Sequence, residues 1–377
     1  MRICIFFIIT CLLQSCNLNT AEQSKTGNTA GDTLYIQYAA GFNIIRFKNY
    51  TEAIIYNPWD KGRVQQKYIL IDRNKEIPAG IPEGTVVKVP IQSAACYSAI
   101  QVSIFDKLNS IGVINAVAEP GYIANPAIHE GINSGKITDL GPAVSVAVEK
   151  LIASNPEIII AVHFRNAGYG AVEKTGIPIV ECIDYMELSP LGQTEWIKFI
   201  AEFIGKQDEA EILFDEISER YNMLCEKTSG ITKRPTIFSE KKYGNSWYIA
   251  CGQSVAAIGF GHAGTEYLWN DLAGTGSVPM SFESVYARAE NADYWMFKYN
   301  LPDEKALTYD ALKSEYKPYE HFKAFKERKI LACNTGLKPY YETGLLEPDV
   351  VLADLIHAIH PDILPDHEPV YIDFLKE

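Results

Sequence analysis

The segment 193–227, near the middle of the chain, constrains the fold more than any other part of the sequence. It contains no proline and a single glycine, Gly205. Its apolar residues recur at helical spacing: Trp196, Phe199, Ile200, Phe203, Ile212, Leu213, Ile217, Tyr221 and Leu224. We therefore predict one unbroken linking helix within 191–228, about 50 Å long at roughly 1.5 Å per residue. Such a helix is longer than one small domain needs, and it can join two.

Strand-like and helix-like stretches alternate on both sides of this segment. Before it, strands are predicted at 86–89, 114–118, 158–162 and 177–181, and a helix at 94–108. After it, strands are predicted at 236–238, 294–297 and 330–333, and helices at 255–272 and 349–359. Alternation of this kind indicates βαβ units with parallel sheets. The sequence thus predicts an α/β protein with two Rossmann-like lobes, 33–190 and 229–377, joined by one helix.

The first lobe is preceded by a different pattern. Strand-like runs at 33–38, 42–47, 51–56 and 68–71 are separated by turn residues such as Asn49 and Asn57. We interpret them as an antiparallel β addition at the N-terminal side of the lobe.

The first sixteen residues have the features of a secretory signal. Arg2 is followed by an apolar run, 3–13, which is too short to cross a bilayer as a helix. The run ends at Gln14-Ser15-Cys16, which is similar to a lipobox. We expect a signal peptide over 1–15, lipid on Cys16, a flexible tether over 16–32 and a location on the periplasmic face of a membrane. A plain cleaved signal, with Cys16 incidental, is the alternative.

Composition and motifs exclude several classes of function. The formal net charge is −13, whereas nucleic-acid binding needs clustered Lys and Arg. The five cysteines beyond residue 16 form no CxxC pair, which argues against a disulfide framework or a zinc cluster. No GxSxG, Walker, HExxH or Rossmann glycine motif occurs in its proper context. We therefore expect a monomeric protein that is not an enzyme and holds no resident cofactor or metal.

Several pieces, in their order, resemble the periplasmic metal-chelate-binding proteins of ABC importers. They are the lipobox, the segments around Glu149 and Glu283, the run 174–180, and the segment 259–264 with its Ala263-Gly264. The similarity covers 86–361. It implies a class III periplasmic binding fold, a cargo of ferric siderophore, haem or cobalamin, and delivery to a permease dimer with its ATPase.

The resemblance also implies a role for two glutamates. Glu149 and Glu283 occupy the motif positions that dock onto permease arginines in this family. Each lies near a predicted helix start, where an acidic residue is also favoured simply by the helix dipole. Exposed carboxylates on two lobes would give the docked complex its register more than its affinity.

Ligands of open α/β sheets bind beyond the carboxyl ends of the strands. The loops at these positions are rich in aromatic residues, which cover a planar ligand at low entropic cost, and carry a few cations. The predicted ligand-binding residues are Tyr122, His163, Phe164, Arg165, Asn166, Tyr169, Tyr185, Tyr243, Trp247, Tyr248, Lys298, Tyr299, Tyr340 and Tyr341. Trp59 and Trp269 lack such a loop context, and we interpret them as packing residues.

Some alternatives stay open at the level of sequence. His163 either ligates the metal of a haem or corrinoid or forms a hydrogen bond to a loop carbonyl. Arg165 is the one clear arginine among the cleft loops, which disfavours a strongly anionic siderophore. An extracytoplasmic metal chaperone or enzyme on the same scaffold, and a glycan- or peptide-binding lipoprotein, are the competing functions.

Overall fold

The computed structural model describes residues 31–302 and 306–377. The predicted signal peptide, the lipidated Cys16 and nearly all of the predicted tether lie outside the described residues. In the described ranges, no helix is both long enough and apolar enough to cross a membrane.

The N-terminal strands form a five-stranded sheet in the order β1-β2-β3-β4-β5. They are β1 (Asp32–Thr33), β2 (Phe42–Arg46), β3 (Thr51–Tyr56), β4 (Val64–Asp72) and β5 (Thr85–Val89). Strands β1 to β4 are antiparallel, as predicted, whereas β5 joins β4 in parallel. The strand 86–89, assigned from sequence to the α/β alternation, therefore belongs to the added sheet.

The first lobe has an all-parallel sheet with strand order β10-β9-β6-β7-β8. Its strands are β6 (Ala94–Cys96), β7 (Ile114–Val117), β8 (Thr138–Asp139), β9 (Ile158–Val162) and β10 (Ile179–Cys182). Its helices are α1 (Ala99–Lys107), α2 (Pro126–Asn133) and α3 (Val148–Ser154). The helix predicted over 94–108 was wrong at its start, because 94–96 form the fully buried central strand. The small side chains of Ala94, Ala95 and Cys96 have neither the β-branched nor the aromatic character that predicts a strand.

The predicted single rod is two helices. Helix α4 (Pro190–Ile204) ends at Gly205, whose φ of +69° turns the chain, and α5 (Gln207–Ser229) then packs against α4. The prediction failed because the apolar spacing continues through the turn. The single glycine, Gly205, ends the helix by adopting a left-handed backbone conformation. Helix α5 joins the lobes, because Phe214 lies in the first core and Tyr221 in the second.

The second lobe repeats the α/β plan. Its main sheet has the order β14-β11-β16-β17-β18, parallel except for β18, and β12-β13-β15 form a small antiparallel sheet. The strands are β11 (Thr236–Ser239), β12 (Lys242–Tyr243), β13 (Ser246–Ala250), β14 (Glu266–Tyr267), β15 (Ser277–Met280), β16 (Tyr294–Tyr299), β17 (Ile330–Asn334) and β18 (Asp373–Phe374). The helices are α6 (Val255–His262), α7 (Phe282–Ala289), α8 (Tyr309–Glu315), α9 (Lys323–Lys326) and α10 (Pro348–Ile359). The helix predicted over 255–272 ends ten residues early, at His262, shortly before Gly264 at φ +77°.

The segment between β1 and β2 is tied to the linking region by buried carboxylates. The backbone N–H groups of residues 37–39 donate to Glu195 of α4, and those of 40–41 donate to Glu187. The strand predicted over 33–38 is therefore short: β1 ends at Thr33, and side-chain carboxylates instead of a neighbouring strand accept from the N–H groups of residues 37 and 38. Tyr38 packs against both lobe cores, so this segment also spans the junction.

Asp184 is a further buried acid in this region, in the turn that follows β10. Burial raises the pKa of its carboxyl to about 6, and the charge of Glu187 adds to that rise, against the effect of backbone N–H groups. The folded protein therefore holds a proton on Asp184 at pH values where the unfolded chain, with a pKa of about 3.9, has lost it.

Replacing Gly205 with alanine should destabilise the protein by about 1–2 kcal/mol, since φ is +69° and an added Cβ would lie 3.2 Å from Pro90. The matched variant is Gly230→Ala at the other end of α5, where φ is −81° and no atom lies within 4 Å of the added Cβ. That variant should be neutral or stabilising by up to about 1 kcal/mol. Urea unfolding measures both, and equal effects at the two sites would contradict the assignment.

Asp184→Asn should stabilise the protein above pH 6 by about 1–3 kcal/mol, because the cost of burying the charge is then fully present in the wild type. The advantage should shrink as pH falls through the window from about 6 to about 4, where the wild-type carboxyl takes up its proton. Urea unfolding at several pH values tests this, with the exposed Asp362→Asn as control. An Asp184→Asn protein that is no more stable than wild type at pH 7.5 would disprove the burial cost.

Candidate ligand-binding site

A cavity of about 510 Å³ opens at the carboxyl ends of β11 and β16, and both lobes line it. The first lobe contributes Tyr185 from the turn after β10, and Pro190 and Gln193 from the start of α4. Tyr221 of α5 lies in the same wall. The volume is within the range of small-molecule and cofactor pockets.

Most of the wall is apolar. Helices α6 and α10 supply a large part of it, and a loop after β17 closes another side. The apolar lining residues are Val255, Ala256, Phe260, Met296, Leu345, Val351, Leu352, Leu355 and Ile372. A ligand that fills this space must therefore present a largely apolar surface.

The charged part of the wall is one ion pair. Lys298 at the end of β16 lies with its Nζ 3.1 Å from Oε1 of Glu240, which follows β11. Burial acts to lower the pKa of Lys298, but attraction to Glu240 and to the oxygens of Tyr340 and Tyr341 outweighs it, so the pKa is raised. The cation is thus fixed in the cavity with its charge largely balanced.

Glu240 has an unusual backbone. Its φ of +64° lies in the left-handed region, where residues other than glycine are strained. Its N–H donates to the carbonyl of Met296 at 2.8 Å, and its own carbonyl accepts from Trp295 Nε1 at 2.7 Å. These bonds hold the carboxylate beside Lys298.

Two tyrosines after β17 bring polar groups into the cavity. The rings of Tyr340 and Tyr341 lie 5.3 Å apart and nearly perpendicular, and Lys298 Nζ lies 5.6 Å from the centre of the Tyr340 ring. Burial raises the pKa of both phenols, and Lys298 opposes that rise. The hydroxyls of Tyr185 and Tyr221 are committed to His163 O and His262 Nδ1.

The structure brings four of the fourteen predicted ligand-binding residues to this cavity. They are Tyr185, Lys298, Tyr340 and Tyr341. Tyr122, Phe164, Arg165 and Asn166 are exposed, and Phe164 packs on Tyr185 with ring centres 5.6 Å apart. Tyr243 and Tyr248 are exposed on the small antiparallel sheet, and Tyr299 is half-buried beside Phe297.

Trp247 needs a correction. It is 0% exposed in the core of the second lobe, and its Nε1 donates to the carbonyl of Ser239 at 3.0 Å. Its ring lies 5.7 Å from that of Trp295. Strand β13 points Trp247 into the core, whereas the next residue, Tyr248, is exposed. Trp247 is therefore a packing residue and not part of a ligand site.

His163 lies outside the cavity wall, in a cluster shared with the N-terminal sheet. Its Nδ1 is 3.2 Å from Glu181, its Nε2 is 3.2 Å from the Gln65 amide, and its ring is 5.6 Å from that of Trp59. Tyr169 completes the cluster at 6.2 Å. Trp59, interpreted from sequence as a packing residue, thus stands beside the first-lobe loop because β3 and β4 carry it there.

Sequence reasoning missed several lining residues. Glu240 directly follows β11, so the same strand-end rule that found Lys298 also applies to it. The residues on α10 carry no separate signal, because apolar side chains at helical spacing look the same whether they face a core or a cavity. Gly259 of α6 lines the cavity too, and an added Cβ there would meet no atom within 4 Å.

The two predicted docking glutamates are exposed on different lobes. Glu149 lies in the first turn of α3 and Glu283 in the first turn of α7. Within residues 31–302 and 306–377, neither forms an ion pair, and no cluster of three or more His, Cys, Asp or Glu side chains is placed to hold a metal ion. The five cysteines of this part of the chain are free.

Comparison with known proteins places the fold. An uncharacterized lipoprotein of Methanocaldococcus jannaschii is 26% identical over 94% of this chain and 91% of its own length. A periplasmic heme-binding protein from Pseudomonas aeruginosa superposes with a TM-score of 0.58 at 15% identity, over 76% of this chain and 99% of that one. An ABC-type Fe3+-hydroxamate transport protein from Saccharomonospora viridis superposes with a TM-score of 0.53 at 16% identity, over 71% of this chain and 92% of that one.

The structural likeness establishes the fold, and the sequence resemblance stated above is confirmed by a family model. The heme-binding protein aligns over nearly its whole length, yet about a quarter of this chain has no counterpart in it. The match to the family model begins at residue 95, after the N-terminal sheet. That model, described as periplasmic binding protein, matches residues 95–335. The chain therefore belongs to the periplasmic binding protein family.

Proposed function

We propose that this protein is the substrate-binding lipoprotein of an ABC importer, anchored through Cys16 and loading a metal chelate between its lobes. The cavity lined by both lobes carries the proposal, because a ligand there contacts the two halves at once. Capture and delivery require no bond to be made or broken by the protein. The lobes present Glu149 and Glu283 to the permease.

The chemistry of the cavity favours haem among the possible chelates. Haem is a large, planar and mostly apolar ligand, which suits a wall made of aliphatic and aromatic side chains. A polyanionic siderophore would need several free cations, whereas Lys298 is already paired with Glu240 and Arg165 is not in the wall. Phenol oxygens are known axial ligands of haem iron, and Tyr340 and Tyr341 supply them here.

The competing functions have less support in the structure. A glycan or peptide binder would use exposed aromatic residues grouped in a shallow groove. The exposed Tyr243 and Tyr248 lie on the small antiparallel sheet, whereas Tyr122 and Phe164 lie on loops of the first lobe. A metal chaperone needs clustered ligands, for which the described residues offer no group of three.

Titration of the purified protein with haemin should give saturable one-to-one binding, followed by absorbance. Tyr340→Phe or Tyr341→Phe keeps the ring and removes the hydroxyl, so the variant that loses the iron ligand should bind at least about tenfold more weakly and show an altered visible spectrum. Tyr243→Phe, on an 80% exposed residue of the same lobe, is the control and should match wild type.

The same titration with cyanocobalamin and a ferric hydroxamate separates the chelate classes. Binding of one of these but not haemin would replace the cargo and keep the transport function. Failure of all three to bind would refute the metal-chelate proposal.

Charge reversal at both docking positions, Glu149→Arg with Glu283→Arg, should abolish uptake of labelled haem by cells that carry the importer, because like charges would then face the permease arginines. Haemin affinity of the purified variant should be unchanged. The matched control reverses two other exposed acids, Glu130→Arg with Glu226→Arg, and alters the net charge equally. Uptake that survives the first pair, or is lost equally with the control pair, would disprove the docking role.

A further inference from the structure

A short stretch of the second lobe reaches across to the first, and we call it the bridging segment (residues 340–347). It begins with Tyr340 and Tyr341, which line the cavity, and Gly344 and Leu345 line it as well. The segment therefore belongs at once to the ligand site and to the junction between the lobes.

Three contacts tie the later part of the bridging segment to the first lobe. Leu346 is 0% exposed and lies in the first-lobe core. The carbonyl of Leu345 accepts from Thr194 Oγ1 at 3.2 Å. Glu347 forms an ion pair with Lys107 of α1 at 2.7 Å.

The contact nearest to the tyrosines is made by Glu342. Its carboxylate is 4% exposed and accepts from the backbone N–H groups of Ala124 at 2.5 Å and Asn125 at 3.3 Å. These two residues directly precede α2, so a negative charge there also interacts favourably with the amino end of the helix. Glu342 follows Tyr341 immediately in sequence, and any movement of its backbone must move the two rings.

We propose that Glu342 is a positioning residue for the ligand site: by binding the amino end of α2 in the first lobe, it holds Tyr340 and Tyr341 of the second lobe in the cavity. This inference rests on the function proposed above, since it assigns the tyrosines to the same ligand. It adds that the placement of the second-lobe ligand groups depends on a side chain that accepts its hydrogen bonds from the first lobe.

The contact is built so that it can be broken without unfolding the protein. Ala124 is exposed, so water can accept its N–H when the carboxylate leaves. The local turn survives as well, because the N–H groups of Glu342 and Thr343 donate to the carbonyl of Pro339 at 3.1 and 2.8 Å, whatever the side chain does. A variant at this position should therefore fold.

The test compares haemin binding by the full-length protein with Glu342→Gln, Glu342→Ala and Lys107→Met. Glu342→Ala removes both acceptors and should weaken binding about tenfold, mainly through faster dissociation, whereas Glu342→Gln keeps one acceptor and should have a smaller effect. Lys107→Met removes the ion pair of the bridging segment, which lies farther from the tyrosines, and should change affinity less than about twofold. The unfolding midpoints should stay close to that of wild type.

Hydrogen exchange gives a readout that does not depend on the ligand. In Glu342→Ala, amides of 123–126 and of 339–344 should exchange faster together, although the two stretches are far apart in sequence, while the rest of the chain is unchanged. Wild-type affinity in Glu342→Ala would overturn the positioning role and leave the proposed function intact. If the wild type itself binds no haemin, the proposed cargo fails, and unchanged exchange at 339–344 in Glu342→Ala would then overturn the inference separately.

Discussion

The crossing of α5 from one hydrophobic core to the other is the constraint on which the rest of the structure depends. Phe214 is buried with the first lobe, and Ile217 and Tyr221 are buried with the second, within little more than two turns. Because both sets of side chains are removed from water, neither lobe can rotate about α5 without exposing apolar surface. The spacing of the lobes, and with it the width of the cavity, is therefore set by packing.

The sequence predicted the class of fold because its strongest signals are local. Buried strands such as Ile158–Val162 are continuous apolar runs, and their alternation with helices indicates parallel sheets. The failures occurred where tertiary contacts override local pattern. Strand β6 is made of small residues, and its place at the centre of the sheet is decided by its neighbours. The break at Gly205 interrupts a helical pattern whose period continues on both sides.

The candidate site was predictable to the extent that it follows from topology. Lys298, Tyr340 and Tyr341 lie where the strand-end rule places them. The rule cannot say which way a side chain points on a short strand, and it therefore did not predict that Trp247 is buried. Nor can it predict contacts between distant segments. The meeting of Glu342 with α2, and of Trp59 with His163, depends on how whole sheets and lobes pack.

The volume of the cavity depends on Gly259, because a side chain at this position would enter it. Gly259 sits inside α6 with an ordinary helical backbone, where glycine costs about 0.5–1 kcal/mol relative to alanine. A larger residue would meet no neighbour on its first carbon, and it would gain helix propensity while occupying space at the wall. One substitution at this position would thus narrow the cavity without a contact at the added Cβ, so the size of molecule that the pocket admits depends on a residue that core packing does not dictate.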